Sequence, residues 1–147
     1  MYSYVLLLHV LSATVWTGGH LVLAMAVLPR ALAARDPEIL LAFESGYERI
    51  GMPALLIQVV SGLWMAHNIL PDIAAWLSVA SSPSRLITFK LALLATTAVL
   101  AVDARFRIIP NLSAETLPVM ARRIRLVTAV SVLFVVVGVS FRGGLLA

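Results

Sequence analysis

The chain is predicted to be all-α, an integral membrane antiparallel four-helix bundle, and three observations predict it. Of its 147 residues 61% are hydrophobic and only 12% are charged. A soluble domain carries about 25% charged residues. The mean hydropathy is +1.01, so too few polar groups remain to coat a water-facing surface, and lipid must be part of the solvent. Four separate apolar runs each approach the ~20 residues that a membrane helix needs. No run alternates with the period of two that a barrel strand requires. Backbone polar groups in lipid must be satisfied internally, which makes these runs helices.

One membrane domain, residues 1–147, is expected. Its first span covers residues 4–28 and stops at Pro29-Arg30. The run from Met1 to Pro29 is uncharged and longer than the ~7–15 residues of a signal-peptide core, so it reads as a retained helix. Asp36-Pro37-Glu38 is a helix start, with Asp36 as the cap. The mixed segment 37–49 then reads as an amphipathic surface helix. The second span, 50–70, ends at Pro71-Asp72, and the serine- and proline-bearing stretch after it reads as a loop. The third span is 84–104 and contains Lys90, the only lysine; the fourth is 120–141.

Eight arginines flank the first and third loops: Arg30, Arg35, Arg49, Arg105, Arg107, Arg122, Arg123 and Arg125. Only Arg85, Lys90 and Arg142 lie toward the other side. By the positive-inside bias, those two loops are cytoplasmic. The expected location is the bacterial inner membrane, multi-pass, with both termini periplasmic. The net charge of +4 is thus a topology signal, and no nucleic-acid partner is expected. The absence of cysteine rules out disulfides and thiolate chemistry. No Gly-rich phosphate loop, HExxH motif or paired intramembrane carboxylate is present, so hydrolysis has no apparatus. Any catalysis would be that of an oxidoreductase.

Ionisable residues inside spans are costly and mark function by default. Here they are His9, His20, His67 and Lys90. Counting from the middle of each run, His9 and His67 both fall roughly 10 Å toward the terminal side, with Lys90 and Arg142 at a comparable level. Two histidines on facing helices of a bundle can hold a haem iron. Lys90, Arg142 or Arg85 would then meet its propionates. This predicts a b-type haem with His9 and His67 as axial ligands, serving electron transfer or redox chemistry. Copper is the alternative cofactor, with His9, His67 and His20 as candidate metal ligands. His20 follows His9 by eleven residues, about 16 Å along one face, too far for one metal. Trp16, Gly19 and Gly62 are candidate pocket residues, the glycines because they let a flat macrocycle approach. Against each stands a plainer reading: cross-helix hydrogen bonding for the histidines, snorkelling for Lys90, and ordinary packing for the rest. Met25, Met52 and Met65 are scattered, without the Met-x-x-Met pairing of a copper relay. Expected partners are the lipid bilayer and a quinol or a periplasmic redox or copper protein. A homodimer would bury a cofactor better than one chain.

The stretches LHVLSATVWTGGHLVLAMAVLPRAL (Leu8 to Leu32), YERIGMPALLIQVVSGLWMA (Tyr47 to Ala66) and FKLALL (Phe89 to Leu94) resemble short membrane proteins of the copper resistance D (CopD) family. The pointed elements are His9, Trp16, His20, Leu28-Pro29-Arg30, Pro53, Gly62 and Lys90. That resemblance implies metal handling on the outer side, or a copper-binding or copper-transport role. A more distant resemblance is to HemJ-type protoporphyrinogen oxidases, through an early-span histidine, a Leu-Pro-Arg triplet and a later Lys-Leu. It implies haem chemistry around His9 and Lys90. The chain departs from that pattern in a longer gap between His9 and the triplet, and in having His20. A cofactor-free structural membrane subunit is the third expectation.

Overall fold

The computed structural model describes residues 1–143. Four helices account for most of it: α1 Tyr2–Ala34, α2 Glu38–Ile69, α3 Ser82–Asn111 and α4 Leu117–Gly143. Each is long and apolar enough to cross a membrane, and no strand occurs among the described residues. The protein is a multi-pass membrane bundle. α1 has 33 residues, about 50 Å of helix. That exceeds a ~30 Å hydrocarbon core, so α1 is longer than a perpendicular crossing needs.

The helices pack in the order α2, α1, α4, α3, while α2 and α3 barely meet. At the loop end an apolar core joins Leu28 and Ala31 of α1 to Leu40 of α2 and to Leu117, Ala121 and Ile124 of α4. Nearer the membrane centre the interfaces are lined by small polar residues. Thr17 Oγ1 donates to Ser131 O at 3.4 Å, and Thr128 Oγ1, whose hydrogen is shared with the nearer Ile124 O at 2.8 Å, lies 3.2 Å from His20 O, both linking α1 to α4. Most large apolar side chains point outward, among them Leu11, Val22, Leu56, Val60 and Val99. With no hydrophobic force between helices in lipid, such small contacts and hydrogen bonds hold the bundle.

The segment expected as a separate surface helix, 37–49, runs into the second span without a break. Asp36 still shapes the start, accepting from the Glu38 N–H at 2.9 Å, with Pro37 at the cap position. The preceding turn is tight. Arg35 sits at φ 52°, Asp36 N bonds Ala31 O at 3.0 Å and Arg35 N bonds Leu32 O at 3.3 Å, the double bond of a Schellman end. The loop expected after the second span contains a 3₁₀ turn, Ile73–Leu77. It is pinned to α3: Trp76 is buried, its Nε1 donates to Leu70 O at 2.8 Å, and Thr88 Oγ1 donates to Trp76 O at 2.6 Å.

α1 and α3 each contain one wide π turn, Leu23–Val27 and Ala104–Ile108. Each precedes a proline closely, Pro29 and Pro110. Proline has no N–H and crowds the carbonyl four residues back, and a locally widened turn relieves both.

The expected Asp103–Arg107 pair within α3 exists at 3.4 Å, but Arg107 is 81% exposed. The closer partner is Arg123 of α4, at 2.8 Å. Arg123→Met should cost about 1–2 kcal/mol, between an exposed and a buried pair, and Arg107→Met much less. Thermal unfolding in detergent checks this, and equal losses would assign the ion pair no role in holding α3 to α4.

Candidate functional site

Two histidines of α1 are held in the same chemical arrangement at different depths. His9 faces α2, with Nδ1 2.9 Å from Ser61 Oγ. The Ser61 hydroxyl has a single hydrogen, and it goes to the Ile57 carbonyl at 2.6 Å. The Ser61 oxygen therefore accepts, and His9 Nδ1 donates. A neutral His9 then carries its lone pair on Nε2. Beneath the ring lies Gly62, where an added Cβ would stand 3.1 Å from His9 Cε1. Gly62, expected to admit a cofactor, admits the histidine ring instead.

His20 lies eleven residues deeper along α1. Its Nδ1 is 2.8 Å from the Trp16 carbonyl, which can only accept, so the lone pair is again on Nε2. The ring is flanked by Trp16 at a 4.4 Å centroid distance and by the edge of Tyr47 at 6.0 Å. Tyr47 reaches from α2 to share its hydroxyl hydrogen between Val15 O and Trp16 O, at 3.0 and 3.1 Å. Its ring occupies the space that Gly19 and Gly51 leave by having no side chain. Gly19, also expected beside a cofactor, is the seat of Tyr47. Trp16 is buried against His20 rather than lining an open pocket.

Lys90 projects from α3 onto α4. Its Nζ is 3.3 Å from where a Cβ on Gly138 would be, and 5.7 Å from the Phe141 ring centroid. It is also within electrostatic reach of His9. Arg142 is exposed, one turn past Gly138 at the end of α4. His9, Ser61, Lys90 and Gly138 thus share the layer near the end where α1 begins and α4 finishes.

His67 does not join His9. It is exposed, in the last turn of α2. It lies six residues past Ser61, which is about 9 Å along the axis and on another face. Trp64 beside it packs on Tyr2 at 6.0 Å. A haem needs two imidazoles opposed across its iron. His9 turns toward Ser61 in the α1–α2 seam, whereas His67 is exposed on another face of α2, so the two rings do not oppose one another and the residues do not fit a bis-histidine haem. Among the described residues no group of three or more His, Cys, Asp or Glu is clustered for a metal.

Tyr47 and Gln58 were not singled out from the sequence, and Ser61 only as a small residue beside Gly62 that permits close approach. Gln58 is buried on the same face of α2 as Ser61, with its Oε1 unpartnered. The signal for Tyr47 was Gly19 itself: a glycine on an interface implies a bulky neighbour as readily as a ligand. No such signal existed for Ser61, because a serine's cross-helix partner cannot be read from one strand of sequence.

Among known proteins, the family model described as Copper resistance protein D matches residues 41–141. The match spans nearly all of α2, all of α3 and most of α4; it includes His67 and Lys90 and begins after His9 and His20. No curated protein and no solved structure matches the chain. The match covers well over half of the residues, and the chain belongs to the copper resistance protein D family.

Proposed function

We propose that this membrane protein binds copper ions as cargo and passes them inward along α1 and α2, with His67, His9 and His20 as successive stations. The family match carries the reading. The arrangement of the imidazoles supports it. Metal-ligating histidines commonly donate their other ring N–H to a fixed acceptor, which sets the tautomer. His9 and His20 both do so, leaving Nε2 available. Their depths descend. His67 lies about 3 Å from the end of α2, His9 about 10 Å from the start of α1 and His20 about 27 Å from it.

Cu(I) suits this setting better than Cu(II), since it accepts imidazole and thioether donors and needs few of them. Met65, one turn from Ser61 toward the same end, would be the thioether to assist His9. By the eight-to-three division of basic residues, the end bearing His67 faces the periplasm of a bacterial inner membrane. Copper handed over there would come from a periplasmic copper protein.

Protein in lipid nanodiscs, loaded with Cu(I) and washed, should retain copper by elemental analysis. His9→Ala and His20→Ala should each lower retention, and the triple variant with His67→Ala should abolish it. Wild-type protein without copper, or a triple variant that retains as much, would reject the reading.

A further inference from the structure

Among the described residues, the basic residues at the terminal end of α3 and α4 lack acidic partners. Six of the seven acidic residues lie at or toward the loop end; only Asp72 is at this end, and it is exposed. Its side chain caps the Ile73–Leu77 turn by accepting from Ala74 N at 3.0 Å. The ion pairs among the described residues are both at Asp103. Lys90 is in neither, and its neighbours on α4 include Gly138 and the face of Phe141. An ammonium in lipid is costly unless an anion meets it.

We infer that Lys90 and Arg142 hold the phosphate of a phospholipid from the leaflet at this end. The Lys90 Cα is about 12 Å from the start of α3, a depth from which a four-carbon stem can carry its charge toward the headgroups. Gly138 leaves room for that stem, and Arg142, four residues on, stands over the same face of α4 one turn nearer the surface. Phe89 and Val139, 56% and 51% exposed, flank the position and offer apolar surface to acyl chains. A lipid satisfies both halves of this site, whereas a soluble anion satisfies one. The bound phosphate also offsets the Lys90 charge that acts on His9. The inference rests on membrane placement and not on copper.

Native mass spectrometry of delipidated protein titrated with phosphatidylglycerol tests it. Wild-type protein should bind this lipid more tightly than phosphatidylcholine. Lys90→Gln and Arg142→Gln should each weaken binding of the first lipid molecule roughly fivefold. Replacing Arg122 and Arg125 together, at the opposite end, should leave that first binding step unchanged. Arg142 is exposed, so its variant keeps the test valid if Lys90→Gln unfolds. Unchanged lipid affinity in the Arg142 variant, or competition by inorganic phosphate as strong as by the lipid, would overturn the inference.

Discussion

Gly19→Leu should destabilise the bundle by about 2–3 kcal/mol, the upper range for overpacking a fitted interface. The Tyr47 ring occupies the space such a side chain would enter, and Gly51 bounds the ring on its own helix, where an added Cβ would come within 2.7 Å. The ring cannot retreat, so the collision is relieved only by moving α2 or by swinging Tyr47 out. Either movement costs the hydrogen bond that its hydroxyl shares between the Val15 and Trp16 carbonyls. It also strips His20 of its edge contact. The neighbouring Gly18 has open space in place of a side chain, so Gly18→Leu adds lipid-facing surface and should cost little. Unfolding midpoints of the two variants in one detergent make the comparison. Equal losses would mean that Tyr47 is not seated as the structure has it.

Ser61→Ala should weaken Cu(I) binding at His9 by roughly 10–100-fold, the usual effect of removing a ligand's outer partner. Without the Ser61 oxygen, His9 loses the acceptor that keeps its proton on Nδ1. The ring can then turn, or move its proton to the ligating nitrogen. Stability should fall by only about 0.6 kcal/mol, the mean for a cross-helix bond in a membrane. Ser61→Thr retains the oxygen and should restore most of the affinity. Competition against a coloured Cu(I) chelator measures all three proteins. An affinity untouched in Ser61→Ala but lost in His9→Ala would separate ligation from this hydrogen bond.

The four spans were legible because the length of an apolar run is set by bilayer thickness and survives any detail of packing. Their ends were less so. Glu44, Glu48 and Arg49 mark a change of solvent at the start of α2, and a change of solvent does not break a helix; the helix also runs through Gly46, Gly51 and Pro53. The layer of His9 and Lys90 was also legible, since depth follows from residue counting. The partner of His9 was not. Counting from the middle of each apolar run placed His67 opposite it. The two helices instead align by their ends, so that residue 9, seven from the start of α1, meets Ser61, eight from the end of α2. Gly19 and Gly62 were recognised as places of close approach, but their visitors are side chains of the protein itself. What approaches a glycine depends on the azimuth of both helices, which a nearly uniform apolar sequence does not encode.

The two wide turns of α1 and α3 bear on how each helix keeps its inward side. Trp16 and Leu28 are both buried, yet they are twelve residues apart, and a regular helix would leave them about 120° out of phase. Leu100 and Ile108, eight apart and both buried, would be about 80° out. Each turn takes up roughly one residue, or 100° of winding, and so resets the azimuth to within about 20°. The turns act as phase correctors, letting one rod present its buried stripe to the mid-membrane seam and again to the core at the loop end. Losing one residue inside either turn would restore ordinary winding with the stripe intact, whereas the same loss between Trp16 and the α1 turn, or between Leu100 and the α3 turn, would rotate Leu28 or Ile108 out toward the lipid.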